Sequence, residues 1–160
     1  SLEGADGNKI PILPLLASSR LAEAQDSSSE KWADGGQPAA QQALSEARDA
    51  GNVREEAEAL VRLAALQASD GTAMRQSAAL LQEALTKFRS DGHRAKEAAT
   101  LNMLANSHLI MGQAKDALRA ARDALAVLRS MGGSKIYEVP ILQTLVAASY
   151  IRRDPDEALR

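Results

Sequence analysis

The sequence predicts an all-α fold, an α-solenoid of antiparallel helix pairs, and three observations predict it: a helix-favouring composition, an internal repeat of about 41 residues, and apolar residues at helical spacing within each half of the repeat. Alanine fills 32 of the 160 positions, whereas aromatics make up 2% (Trp32, Phe88, Tyr137, Tyr150). Such a chain lacks the β-branched and aromatic stock that feeds a sandwich or barrel. At 45% hydrophobic and 25% charged residues, it is also too apolar for disorder throughout.

The repeat is visible on shifting the chain by 41 positions. Ala43-Leu44 then lies over Ala84-Leu85, Arg48 over Arg89, Gly51 over Gly92, and Glu56-Ala57 over Glu97-Ala98. Leu60, Leu63 and Ala64 fall on Leu101, Leu104 and Ala105, and a second shift carries these to Leu142, Leu145 and Val146. Three to four repeats fit the length.

Taken in order, residues 1–9 are an N-terminal tail and residues 10–51 a degenerate first helix pair. In that pair Leu13, Leu16 and Ala17 precede the next such triplet by 47 residues, and the surplus falls in a Ser/Gly-rich loop at 26–37, before a second helix over 38–48. Residues 52–92 form a clear unit. Its first helix, over 53–68, stops at Ser69-Asp70-Gly71, and its second, over 75–89, carries Leu80, Leu81, Ala84, Leu85 and Phe88 on one face. Residues 93–133 repeat this, with helices over 94–110 and 114–129 around a turn at Met111-Gly112. Residues 134–160 hold a partial unit. Its first helix is expected over 139–152, with Pro140 in the first turn where no amide donor is needed, and a second helix begins at Asp154-Pro155.

Leu101, Leu104, Ala105, His108, Gly112, Ala117 and Ala124 have the spacing of the tetratricopeptide pattern W-x2-L-G-x2-Y, G, A, A, so the unit resembles that family. Leu101 stands for the usual Trp, His108 for the usual Tyr, and Arg129 where proline is expected. The period exceeds the roughly 34 residues of the standard unit, which is similar to the long-repeat branch typified by kinesin light chain-like adaptors. The resemblance implies a concave surface lined by the first helix of each pair. Carried over by position, it includes Glu58, Val61, Arg62 and Ala65, then Asn102, Asn106, Leu109 and Ile110, then Gln143, Ala147, Tyr150 and Ile151. Asn102 and Asn106 lie four apart on one helical face and could hold a peptide main chain through donor and acceptor together. The site residues so implied are Arg62, Asn102, Asn106, Leu109, Ile110, Gln143, Tyr150 and Ile151. A clamp for a C-terminal carboxylate is disfavoured because Arg62 is the one base suitably placed.

The expected function is a noncatalytic protein–protein interaction scaffold that binds a peptide or helical segment. One alternative is a structural subunit of a larger multiprotein assembly, because the apolar face near Leu142, Leu145 and Ala148 would lack its partner helix if the array stops at Arg160. Another is a regulatory repeat segment of a longer enzyme or transcription regulator. No catalytic residues, metal ligands or cofactors are expected: there are no cysteines, His93 and His108 fall in different settings, and no phosphate-cradling glycine loop or nucleophile elbow occurs. The acidic run Glu55, Glu56, Glu58 reads as helix N-terminal charge rather than acid–base machinery. Ser27–29 reads as a solvated loop open to phosphorylation, and Trp32 as either a loop anchor or a partner contact.

The net charge of −2, with 16 Lys/Arg against 15 Asp/Glu over 41–160, gives no footprint for nucleic acid. The longest apolar stretch, at 10–17, is broken by Pro11 and Pro14, which excludes membrane insertion by a spanning helix there. The cytoplasm is the default compartment. Because Ser1 rather than Met comes first, processing, in an organelle or otherwise, is also expected to be open.

Overall fold

The computed structural model describes residues 36–69, 73–132 and 135–152. The tail at 1–9, the first helix of the degenerate pair, the loop at 26–37 but for its last two residues, Trp32, Ser27–29 and the expected helix from Asp154 lie outside them. Among the described residues six helices follow one another: α1 (Gly36–Asp49), α2 (Val53–Ser69), α3 (Met74–Asp91), α4 (Arg94–Ile110), α5 (Ala114–Ser130) and α6 (Lys135–Arg152). No strand occurs among the described residues, and the protein is all-α and repeat-like.

Each helix packs on the next in sequence, and α4 also meets α6. Cross-links fix the antiparallel sense. Arg54 at the start of α2 donates to Asp91 at the end of α3 (2.9 Å), and Arg94 at the start of α4 donates to Ser130 at the end of α5 (3.2 Å). Alanine lets these helices approach closely. Ala57 and Leu60 pack with Ala84 and Phe88, and forty-one positions on, Ala98, Leu101 and Ala105 pack with Ala120, Ala121, Ala124 and Leu128. The Ala64 carbonyl also accepts a hydrogen bond from the buried Ser77 hydroxyl (2.8 Å), tying α3 to α2.

The turns repeat as well. At the end of α3, Gly92 takes φ +72°, and the His93 amide donates to the Phe88 carbonyl (3.0 Å), the long bond that closes a helix over a left-handed residue. The same bond joins Asn52 to Ala47 after α1 (2.9 Å) and Gln113 to His108 after α4 (2.8 Å). Asn52 also caps α2, its side-chain oxygen accepting from the Glu55 amide (3.2 Å).

The expected helix ends at 53–68, 75–89, 94–110 and 114–129 agree with α2 to α5 within two residues. Two need correction. The second helix of the degenerate pair starts at Gly36, not at 38, so Pro38 falls in its first turn. The first helix of the last unit starts at Lys135, so Pro140 lies inside α6. Its missing amide removes one bond, to the carbonyl of Ile136, four residues back. Ile136 is exposed, so that carbonyl can turn to water instead, and the helix runs through.

Candidate interaction face

The residues picked out for a peptide groove are not all at a surface. Asn102, Asn106 and Leu109 are buried, Arg62 and Ile151 half-buried, Ile110 at the margin of exposure, and Gln143 and Tyr150 exposed. The buried ones stand on α4, which has α3, α5 and α6 packed around it. A helix flanked on so many sides has no solvent-facing polar stripe, so Asn102 and Asn106 do not present their amides to a peptide from an open groove. Asn106 instead faces the next unit: its Oδ1 lies 3.1 Å from Thr144 Oγ1, which also stands 2.9 Å from the Pro140 carbonyl. The Thr144 hydroxyl has one proton for two acceptors. With the proton on the Pro140 carbonyl, turning the Asn106 amide over lets its NH2 donate to Thr144 instead.

Ion pairs recur at the unit boundaries, a pattern the residue matches contained but spacing alone did not assign. Arg48 pairs with Glu56 (3.0 Å), Arg89 with Glu97 (2.9 Å), and Arg129 with Glu138 (3.0 Å). Each joins the end of one helix pair to the start of the next. Glu56, Glu97 and Glu138 are spaced by 41, so the repeated Arg and Glu were the signal available. Hydrogen bonding from Lys87, then from Arg48, holds the Glu56 carboxyl below its ordinary range against the opposing effect of burial. Arg129 does the same for Glu138. Lys96 pairs with Glu58, and both members are largely shielded. Of the acidic run at the start of α2, Glu56 and Glu58 are thus occupied in ion pairs.

The two histidines stand apart. His93 meets Phe88 edge-on, ring centroids 6.2 Å apart, and His108 Nδ1 donates to Gln113 Oε1 (2.7 Å) across the α4–α5 turn. Among the described residues no group of three His, Asp or Glu is placed to hold a metal ion. No helix there is long and apolar enough to cross a membrane.

The feature that stands out is an apolar stripe on α6. Ile136 is 73% exposed, Val139 50%, Leu142 41%, Val146 70% and Tyr150 81%. At 100° per residue these five fall within an arc of about 120°, and the stripe runs about 21 Å along the helix axis. Opposite lie the buried Pro140, Ile141, Thr144 and Ala148, seated on α4 and α5. The helix is thus apolar on two faces, only one of which is covered by described residues. Of the three residues expected to lack a partner, Leu142 is on the open face, whereas Leu145 is half-buried and Ala148 is buried beside Leu109, Ala117 and Leu118. Their angular positions explain the difference. Leu145 and Ala148 lie nearer Ile141 around the helix than they do Leu142.

Compared with known proteins, the chain matches no family model, no curated protein and no solved structure. The tetratricopeptide likeness is carried by the quoted residues of the repeat alone.

Proposed function

We propose that the chain is a noncatalytic helical-repeat module of the tetratricopeptide kind that binds another polypeptide through the open face of α6. The single observation that carries this reading is the stripe Ile136, Val139, Leu142, Val146 and Tyr150, large apolar side chains exposed together on one helix. Lone exposed apolar residues are ordinary on protein surfaces, but a contiguous row of them marks a contact face. Transferring such a row from water to a partner supplies a driving force, and Gln143 at its edge offers an amide for orientation.

This favours an interaction module working as part of an assembly over an extended-peptide groove centred on Asn102 and Asn106. Tyr150 and Gln143 keep their places as contact residues; Asn106, beside Thr144, becomes a link between units, and Asn102 is buried. The immobilised chain should retain a discrete partner from the source extract in constant stoichiometry. A Val146→Asp, Tyr150→Asp double variant with an unchanged circular dichroism spectrum should lose it. Retention of the same polypeptide by both proteins would contradict the reading.

A further inference from the structure

The repeat itself indicates what the open face accepts. Val139, Leu142, Val146 and Tyr150 of α6 occupy the positions of Ala98, Leu101, Ala105 and Leu109 in α4, and of Ala57, Leu60, Ala64 and Ala68 in α2. All eight residues in the two earlier helices are buried. What buries them is an antiparallel helix each time. In the first case Met74, Ala78, Leu81, Ala84 and Phe88 of α3 stand against α2. In the second Ala117, Leu118, Ala121, Ala124 and Leu128 of α5 stand against α4. The α6 stripe therefore continues an interface that the chain makes twice.

We infer that the α6 stripe is the seat of an amphipathic helix of a partner protein, lying antiparallel to α6 as α5 lies on α4. This rests on the reading of α6 as the contact face, and it adds the chemistry of what binds. Three substitutions along the stripe set that chemistry. Valines 139 and 146 stand where the earlier units have alanine, and Tyr150 where they have Leu109 and Ala68. Larger residues on α6 require smaller ones opposite if the helix axes are to stay at the spacing of a packed pair, about 8–10 Å. The partner helix thus carries Ala, Ser or Gly at the positions of Ala117, Ala121 and Ala124, closer to α5 than to α3 with its Leu81 and Phe88.

Charge fixes its direction. A basic residue at the start of α2 meets an acceptor at the end of α3, Arg54 with Asp91, and one at the start of α4 meets Ser130 at the end of α5. Lys135 stands at the Arg94 position of the last unit and is exposed. An acidic or hydroxyl side chain at the C-terminal end of the docked helix completes the same link.

A synthetic peptide with the sequence of α5, residues 114–130, is the probe. The chain has no cysteine, so Val146→Cys gives a single thiol whose labelling by a maleimide reports cover on the stripe. Saturating peptide should slow labelling at least tenfold while the peptide gains helical dichroism. A Ser130→Asp peptide should bind several-fold more tightly, and Lys135→Gln should remove that gain. A scrambled peptide of the same composition should leave the rate unchanged. No protection, or equal protection by the scrambled peptide, would overturn the inference; if partner retention still depends on Val146 and Tyr150, the contact-face reading survives that loss. Protection already present without peptide, and abolished by removing residues 153–160, would also overturn it by giving the seat to the chain's own C-terminal segment.

Discussion

Helices α4 and α6 occupy the same place in successive repeats, yet twelve of the 17 residues of α4 are buried against four of the 18 in α6. Their apolar spacing is alike. What differs is the number of helices around them: α4 has neighbours before and behind it, whereas α6 has them on one side among the described residues. In a stack of helices, surroundings rather than the helix's own pattern decide whether a leucine is core or surface. That one difference leaves exposed in α6 a stripe whose counterpart holds the fold together in α4.

Substitution at matched positions can break this comparison. Leu101→Ala in α4 removes a buried side chain and should cost about 3 kcal/mol, whereas Leu142→Ala at the same repeat position should cost less than about 1 kcal/mol, both read from urea unfolding. Equal costs would show that α6 is covered in the free protein. Enlarging rather than deleting gives the converse. Ala105→Leu should overpack the α4–α5 contact by about 2 kcal/mol, but Val146→Leu on the open stripe should be close to neutral.

A smaller effect tests the turns that keep the units in register. Gly92→Ala places a Cβ on a left-handed residue at φ +72° and should lower stability by about 1 kcal/mol, although open space surrounds the position. The smallest effect concerns the boundary ion pairs. The carboxyls of Glu56 and Glu138 are held below their ordinary range in the folded chain, so the stability they contribute is complete above the unfolded value, about 4.3. It is lost as pH falls through the lower folded values. Unfolding free energy should therefore decline on acidification below about pH 4.3, and Glu56→Gln should flatten that decline; an unchanged slope would remove the Lys87–Glu56 pair from the account.

Much of the fold was legible in the sequence because helix signals are local. The glycines at 51, 92 and 112 and the 3.6-residue spacing placed α2 to α5 to within two residues. Pro140 misled because the N-terminal preference of proline was applied where Ile136 is exposed and a lost bond is tolerated, so α6 began four residues early. The open face of α6 was half legible. The expectation of an uncovered apolar face fell on the helix whose stripe is exposed among the described residues, but it also named Leu145 and Ala148, whose burial depends on how α6 is turned about its axis. Asn102 and Asn106 were polar residues at helical spacing and looked like a surface; only the packing of α3, α5 and α6 around α4 reveals otherwise. The boundary pairs were spelled out by the repeated Arg and Glu, but pairing them required knowing that the end of one unit meets the start of the next.

One repeat position is thus sealed in α4, at Ala105, and open in α6, at Val146. Because the chain has no cysteine, Ala105→Cys and Val146→Cys variants each carry a single thiol, and their maleimide labelling rates in the folded protein measure the two positions directly. Cys at 146 should react at close to its rate in denaturant, while Cys at 105 should be slowed by at least a hundredfold. Similar rates at the two positions would contradict that difference.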